Sequence, residues 1–394
     1  MTTVPRPERG TRPANRRDLI LEAATELFCA RGYEHVAVGD IAEAVAVGPS
    51  ALYRHFSSKQ ELLEELVFNG LESFTAVVSG MAFTDAEQSL LDLAELAVTS
   101  RHIGILVERE ARHLSGDTQT RLRAASQDLA GGLAQLLEAV RPDLDGDARD
   151  LFAWMILGVI VSPSFYQSDL SAKEQARLLA ELTGRVLTAQ APVGFAMVEG
   201  RHRPTGLLPH SRREALLQKA IQLFAERRYA SVGIEDVAAS LGMAGPSVYG
   251  HFASKADLLA TALSRGAAYL YMQASDVLAA SNTAAAALSS LVSSYVEFAL
   301  AHPALVDLLM TEVRNLPEPH RDAALAAQRT YVDEWVHLLR QFRPELSESV
   351  ARLQVQAVLT LVNYVVRVRH IQSATGISTA VSGTCQHLLG LQGG

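Results

Sequence analysis

The chain has 394 residues, of which 48% are hydrophobic and 20% charged, as in an ordinary globular protein of two or three domains. Aromatic residues make up only 6%, while alanine and leucine are abundant, so packed helices are favoured over sheets. The net charge of −8 excludes a uniformly basic protein, and the two cysteines, Cys29 and Cys385, provide neither a disulfide framework nor metal-ligand spacing, which indicates a reducing compartment.

The basic residues are concentrated in two regions. Residues 1–17 hold five arginines against one glutamate, and residues 201–260 hold eight lysines and arginines against five acidic residues. The N-terminal region has no apolar run and does not resemble a secretory signal. A basic pole on an acidic body suits phosphate contact at one face. The arginines outside the predicted helices are Arg6, Arg9, Arg12, Arg201 and Arg203. Two interpretations of them stay open: they contact phosphates or a minor groove, or they belong to solvated tails.

A sequence repeat organises the chain. Residues 16–63 align with residues 212–259 at a constant offset of 196, without gaps, and 18 of the 48 paired positions are identical. Each copy predicts an amphipathic helix, a short second helix over 39–45 or 235–241, and a short third helix over 48–56 or 244–252. A fourth helix then begins with a capping signal, Ser58 with Glu61 or Ser254 with Asp257. Each copy is therefore predicted to be a helix-turn-helix module.

Long helices are predicted for the rest of each half. In the first half they span roughly 84–100, 102–115, 118–141, 146–162 and 171–190, and in the second half roughly 283–301, 303–315, 318–343, 347–372 and 376–390. Thr84 with Glu87 is a further capping signal, and Asn282 is a predicted N-cap. Residues 191–211 are rich in proline and glycine and are predicted to be the linker.

Two apolar segments, 151–161 and 355–366, occupy comparable places in the two halves. Both are too short to span a bilayer, which takes about 20 residues, so we expect buried helices and no membrane partner. A weaker repeat of the form Glu-x-Arg-x-Leu also connects the halves, at Glu110/Arg112/Leu114 and Glu312/Arg314/Leu316.

The conserved spacing of the repeat resembles a known family. Both copies contain, in order, Leu-Phe, a tyrosine, Asp-(Ile/Val)-Ala, (Leu/Val)-Tyr-x-His-Phe-x-Ser-Lys and Leu-Leu. This pattern is similar to the DNA-binding domain of TetR-family transcriptional regulators. The resemblance covers about 50 residues in each half. It implies an all-α fold of two TetR-like halves, each with a helix-turn-helix DNA-binding domain and a helical ligand-binding and dimerisation domain. The two halves are expected to pack as an intrachain pseudodimer.

The resemblance also implies the residues that contact DNA. In the first copy the expected phosphate contacts are Tyr53, His55 and Lys59, and the expected base contacts are Pro49, Ser50, Ala51 and Arg54. In the second copy they are Tyr249, His251 and Lys255, with Gly245, Pro246, Ser247 and Gly250. Arg54 is the one side chain of the base-contacting set able to pair bidentately with guanine.

Both copies depart from the family pattern. The glycine after the first helix is Gly32 in the first copy but Arg228 in the second, and the glycine of the next turn is Gly242 in the second copy but Ala46 in the first. A left-handed backbone at Arg228 or Ala46 would be strained. The usual Ser or Thr cap of the second helix is replaced by Ala37 and Gly233.

The domain boundaries that follow are an arm and first DNA-binding domain at 1–60, a first helical domain at 61–190, a linker at 191–210, a second DNA-binding domain at 211–256 and a second helical domain at 257–394. Because the base-reading residues differ between the copies, we expect an asymmetric operator. Two alternatives stay open. In one, only the first module binds DNA and the protein is a homodimer; in the other, the protein is an adaptor that does not bind DNA.

The resemblance implies a cytoplasmic, nucleoid-associated repressor that is released by a small-molecule effector. The Glu-x-Arg-x-Leu element and tandem layout are similar to actinobacterial regulators of lipid and sterol metabolism, which suggests an apolar, lipid-like or acyl-CoA-like effector. No enzyme motif, metal site or cofactor is predicted. Candidate effector contacts, each of which is also explained by an ion pair or the core, are Arg109, Arg112, His113, Trp154, Tyr166, Arg314, Asn315, Trp335 and Tyr364.

Overall fold

The computed structural model describes residues 16–81, 86–198 and 207–391, and these residues are mainly helical. The first half contains α1 Arg16–Arg31, α2 Val38–Ala44, α3 Pro49–Leu52, α4 Lys59–Gly80, α5 Ala86–Thr99, α6 Arg101–Ile105, α7 Gly116–Val140, α8 Gly146–Val161 and α9 Ala172–Thr188. The second half contains α10 Arg212–Arg227, α11 Ile234–Ala239, α12 Lys255–Ala280, α13 Ala284–Ala301, α14 Pro303–Thr311, α15 Glu318–Phe342, α16 Glu348–Val365 and α17 Ile377–Leu388.

Each copy of the repeat forms a small helical head, the first head over residues 16–58 and the second head over residues 211–254. The core of the two heads includes eight fully buried side chains at equivalent positions of the repeat, namely Phe28, Ile41, Ala42, Leu52, Phe224, Val237, Ala238 and Val248. Helices α4 and α12 lead from the heads into two helical bodies, the first body over 59–190 and the second body over 255–391. The predicted caps at the start of these helices are confirmed, since Ser58 and Ser254 each accept a backbone N–H at 3.1 Å.

The third element of each head is shorter than predicted. In the first head α3 has four residues, and in the second head the corresponding Gly245–Gly250 is a 3-10 helix. The chain turns directly after these elements, because the N–H groups of Phe56 and Phe252 bond to the carbonyls of Leu52 and Val248. The turn brings both phenylalanine rings into the core, where they are 1% exposed.

Two turns in the heads carry the predicted backbone strain. Ala46 has a φ of 54° and Arg228 a φ of 74°, in the region that favours glycine. The missing caps of α2 and α11 are also confirmed, and the aspartates three residues on compensate in part. Asp40 and Asp236 accept the N–H groups of Ala37 and Gly233 at 2.8 Å and 2.7 Å.

The two bodies repeat each other at an offset of 202 residues. Helices α7 and α15 both have 25 residues, and each is followed by the same turn, in which an arginine bonds to an acidic residue two positions on. Arg141 bonds to Asp143 at 2.8 Å, and Arg343 bonds to Glu345 at 2.9 Å. Six residues have therefore been added in the second half between the head and this point.

Several predicted helix boundaries are wrong. The helix predicted over 102–115 is divided into α6, a π-turn Leu106–Glu110 and a 3-10 turn Ala111–His113. The helix predicted over 347–372 ends at Val365, where bonds from the N–H of Val366 close the last turn. The N-cap of α13 is Thr283 and not Asn282, since the Thr283 hydroxyl accepts the N–H of Ala286. Thr84 of the predicted Thr84–Glu87 cap and the arginines at 6, 9, 12, 201 and 203 lie outside the described residues.

The halves join through α8 and α9 of the first body and α16 and α17 of the second. The helices α8 and α16 cross closely at Gly158, where an added Cβ would lie 2.9 Å from the Cα of Leu361. Both apolar segments singled out in the sequence are buried in this interface, as predicted for an intrachain pseudodimer. By length and composition, α13 is the one described helix that could cross a membrane; it packs here against α12, α15 and α17.

The described start of the linker is attached to both halves. Ala196 and Thr375 exchange two backbone hydrogen bonds, at 3.3 Å and 2.9 Å, and the N–H of Met197 bonds to Asp147 at 2.8 Å. Phe195 is buried beside this bridge. The linker therefore adds to the contact between the bodies.

Candidate nucleic-acid interface and ligand cavity

Each head presents one exposed polar and aromatic face. In the first head Pro49, Ser50, Tyr53, Arg54 and His55 are exposed and Ala51 is half-buried. In the second head Pro246, Ser247, Tyr249, Gly250 and His251 are exposed and Gly245 is half-buried. The two tyrosines are 52% and 56% exposed although their neighbours Leu52 and Val248 are buried. These side chains are thus free to contact a partner.

Lys59 and Lys255, predicted to contact phosphates, are the first residues of the bodies, and each also bonds to the head next to it. The Lys59 ammonium donates to the carbonyls of Tyr33 and Val36 at 2.8 Å and 2.9 Å and lies 4.0 Å from the centre of the Tyr33 ring. Lys255 bonds to Tyr229 in the same way, at 2.9 Å from its carbonyl and 4.2 Å from its ring. Burial lowers the pKa of both lysines. Both therefore hold the turn after the first helix against the start of the long helix.

Arg17 and Arg213 are a matched pair that the sequence analysis did not assign. They occupy the same position of the repeat, and each guanidinium lies over the buried phenylalanine of its head, 4.8 Å from Phe56 and 4.6 Å from Phe252. Arg17 also pairs with Glu65. The identical Arg-Arg at the start of both copies is the sequence signal that could have identified them.

The Glu-x-Arg-x-Leu repeat fixes each head to its own body. Glu110 accepts the backbone N–H of Tyr33 at 2.8 Å, and Glu312 accepts the N–H of Tyr229 at 3.4 Å. Both carboxyl groups are buried, and burial raises the pKa of each. The bonded N–H groups directly follow Gly32 and Arg228, so the glutamates hold the two turns with a positive φ.

Five of the nine predicted effector residues meet where the heads join the bodies: Arg109, Arg112, His113, Arg314 and Asn315. Arg112 of the first body pairs with Glu312 of the second at 2.7 Å. Arg314 of the second body donates to the carbonyl of Cys29 in the first head at 2.6 Å. These polar groups therefore connect the two halves, and they enclose a space of only about 50 Å³.

His113 connects the first body to the second head. Its Nδ1 lies 2.7 Å from a guanidinium nitrogen of Arg228 and its ring stacks on Tyr33, with centroids 5.1 Å apart. Burial, followed by the charges of Arg228 and Arg112, lowers the pKa of His113 to about 4. The neutral ring therefore accepts a hydrogen bond from Arg228.

The other four predicted effector residues lie in the core or the interface. Trp154 packs against Tyr364 at 6.0 Å between ring centroids, and Trp335 packs against Tyr295 at the same distance. The backbone carbonyl of Tyr166 accepts a bond from Arg101. Tyr364 also lines a pocket of about 50 Å³ in the first body.

A much larger cavity, of about 500 Å³, lies in the second body. Its wall is formed by α12, α13, α14, α15 and α16, and none of the nine predicted effector residues lines it. Its deeply buried lining residues are mainly aliphatic and aromatic and include Tyr295, Phe298 and Tyr331. The volume falls within the usual range for small-molecule sites, about 300–1,000 Å³.

Comparison with known proteins gives a consistent result. Residues 20–66 and 216–262 both match the family described as bacterial regulatory proteins, tetR family. Residues 281–367 match the tetracyclin repressor-like C-terminal domain. The two head matches coincide with the two copies of the repeat.

Individual relatives are each matched by part of the chain. The transcriptional regulator TcmR of Streptomyces glaucescens is 31% identical over 186 residues, which are 40% of this chain and 76% of that protein. The transcriptional repressor Rv3405c of Mycobacterium tuberculosis is 31% identical over 150 residues, 37% of this chain and 72% of that protein. The solved ketosteroid regulator KstR2 of Mycobacterium tuberculosis, 23% identical, superposes with a TM-score of 0.41 and covers 46% of this chain and 95% of its own.

Proposed function

This chain belongs to the TetR family of bacterial transcriptional regulators, and on that basis we propose that its two heads bind one operator with two unlike half-sites. The observation that carries the proposal is the pair of exposed head faces on one covalently joined scaffold. Both keep a tyrosine and a histidine at the same positions, and they differ at the residues assigned to base reading. A dimer of identical chains reads a palindrome, and a chain with two different heads does not need one.

The proposed phosphate contacts are Tyr53 and His55 in the first head and Tyr249 and His251 in the second. Lys59 and Lys255 donate to phosphates through the ammonium hydrogens that are not used in their intramolecular bonds. Arg17 and Arg213 are proposed as further phosphate contacts at the edge of each face. The proposed base contacts are Pro49, Ser50, Ala51 and Arg54, with Gly245, Pro246, Ser247 and Gly250. Arg54 gives the first half-site a guanine preference that Gly250 cannot give the second.

We propose that the protein is a repressor regulated as in the family pattern. A small apolar effector binds in a body, and the protein then releases the DNA. The 500 Å³ cavity supports this proposal. Its wall includes α14, which is followed at once by Glu312 and Arg314, the residues that hold the two heads. We also propose that the protein is cytoplasmic, is not an enzyme and binds each operator as a single chain. Its proposed domain boundaries are those expected from the sequence.

Matched variants of the two heads test the proposal. Tyr53→Ala and Tyr249→Ala each remove an exposed ring from one face, so we expect both to weaken binding to the operator by about tenfold, in line with about 1–3 kcal/mol for a charged-group hydrogen bond and its packing. Neither tyrosine ring belongs to the core of its head, so we expect both variants to fold. Binding is measured by titration of a fluorescent operator at fixed salt.

The two alternative functions give different results in the same titration. If only the first head binds DNA and the protein is a homodimer, Tyr249→Ala binds as tightly as the unchanged chain. If the protein is an adaptor, no salt-dependent DNA binding is found for any of the three chains.

A further inference from the structure

The cavity of the second body has a polar group at its deep end. The Tyr295 hydroxyl donates to Oδ1 of Asn363 at 2.8 Å, and the Asn363 amide nitrogen approaches the sulfur of Met310 at 3.7 Å. An amide nitrogen has two hydrogens, and the sulfur is a weak acceptor for one of them. Asn363 therefore has an N–H to offer to an acceptor inside the cavity.

The remaining wall is poor in charge. Among the described residues that line the cavity there is no lysine or arginine; Asp257, near the start of α12, is acidic, and His320, in the first turn of α15, is the one imidazole. A carboxylate or phosphate placed here would lose its hydration without gaining a lysine or arginine partner, which disfavours an anion in the cavity. The wall instead offers aromatic surface from Phe165, Tyr271 and Phe298. This chemistry fits a neutral, mainly apolar molecule that has a hydroxyl or carbonyl group.

The corresponding place in the first body is filled. At the offset of 202 residues, Tyr331 corresponds to Leu129 and Asn363 to Val161, and only about 50 Å³ remains there. Met310 corresponds to Glu108, which pairs with Arg367 of the second body at 2.7 Å. Tyr364, a residue of the second body, also lines the pocket of the first body.

The second body therefore has a cavity large enough for a ligand, and the described part of the first body does not. We propose that the chain binds one ligand per molecule, in the second body alone, and that this ligand is a neutral, mainly apolar molecule whose hydroxyl or carbonyl is bound by Asn363. The inference rests on the proposed effector-dependent function and narrows it, because it excludes fatty acids and acyl-CoA from the site.

A single ligand in this cavity would contact α14, which leads directly into the residues that bond to both heads. Leu305, Val306 and Leu309 of α14 line the cavity. The chain after α14 then provides Glu312, which bonds to the second head, and Arg314, which bonds to the first. Phe165 adds a side chain of the first half to the cavity wall. One binding event is thus placed to act on both heads.

The test uses the complete chain and the neutral fluorescent dye Nile Red as the probe. Its fluorescence is titrated to obtain the number of sites, and the bound dye is then displaced with 1-dodecanol or with dodecanoate at pH 8. These competitors have the same carbon number and differ in charge. We expect one dye molecule per chain and at least tenfold stronger displacement by the alcohol.

Two pairs of variants locate the site. Ala324→Phe puts a ring into the cavity, and Leu122→Phe changes the corresponding position of the first body, so only the first variant should lose the dye. Asn363→Val copies Val161 of the first body and should weaken displacement by dodecanol at least fivefold, while the dye still binds. If Ala324→Phe does not fold, Asn363→Val still decides the question.

Two sites per chain, equal displacement by dodecanoate, or full dye binding by folded Ala324→Phe would each overturn the inference. Operator binding is measured on the same samples without dye or competitor. Failure of the unchanged chain to bind operator would contradict the proposed function, whereas normal operator binding with any of the three dye results above would contradict only the ligand inference.

Discussion

Arg314 of the second body donates a hydrogen bond to the main-chain carbonyl of Cys29 in the first head, at 2.6 Å. The corresponding arginine of the first body, Arg112, pairs instead with Glu312. The two halves are therefore not related by strict two-fold symmetry at the junction. The position of the first head depends on a residue of the opposite half.

This contact predicts that Arg314→Met weakens operator binding by about fivefold, since a charge-assisted hydrogen bond at an exposed site contributes about 1 kcal/mol. Arg329→Met, on the exposed side of α15, removes the same charge elsewhere and is the control. Operator affinity is compared at one salt concentration, so that both variants lose the same long-range attraction. Equal affinities of the two variants would show that the Arg314 bond does not position the head.

The helix crossing at Gly158 predicts a strong effect of a single methyl group. In Gly158→Ala the new Cβ would lie 2.9 Å from the Cα of Leu361, and the backbone cannot turn aside as a side chain can, so we expect a loss of about 1–3 kcal/mol. Gly131→Ala, in α7, has no atom within 4 Å of the new Cβ and should gain up to about 1 kcal/mol from helix propensity. Urea unfolding measures both, and a Gly158→Ala chain as stable as the original would contradict the intrachain interface.

The strained turn of the first head predicts a stabilising substitution. Ala46→Gly relieves a φ of 54°, and after allowance for the greater freedom of glycine in the unfolded chain we expect a gain of roughly 0.5–1 kcal/mol. Gly242→Ala is the reverse change in the second head, at a φ of 66° and with no atom near the new Cβ, and should cost about the same. Thermal unfolding of both chains checks the opposite signs; two changes of the same sign would mean that strain is not the cause.

The depressed pKa of His113 predicts a defined acid sensitivity. The unfolded chain takes up a proton as the pH falls through about 6.5, whereas the folded chain does so only near 4, so folding free energy is lost in that window on acidification. His113→Gln removes this proton uptake. Between pH 7.5 and pH 5 we expect the original chain to lose about 1–2 kcal/mol more than the variant. Urea titrations at the two pH values measure the difference, and parallel losses would place His113 in solvent.

The heads and the interface were predictable from sequence because their signals are local or repeated. The repeat defines the helices of the heads, Ser58 and Ser254 act as caps, and the segments around Gly158 and Leu361 are apolar on most sides. Strain at Ala46 and Arg228 followed from the glycine pattern alone.

The position of the large cavity was not predictable in the same way. A polar side chain in an apolar helix is expected both in a ligand cavity and in a junction between halves, and the sequence does not distinguish the two. Arg112 and His113 lie in the junction because α6 is interrupted by the π-turn before them. The cavity depends on which helix faces meet across α12 and α15, and its polar contact, Asn363, follows a run of apolar residues.

In the proposed function one chain carries two different DNA-reading heads. Selection of bound fragments from a random DNA pool by the complete chain tests it most directly. We predict a site with two unlike half-sites, centred about one helical turn or 34–36 Å apart, with a guanine preference in one of them. Recovery of a perfect palindrome as the tightest site would contradict the claim.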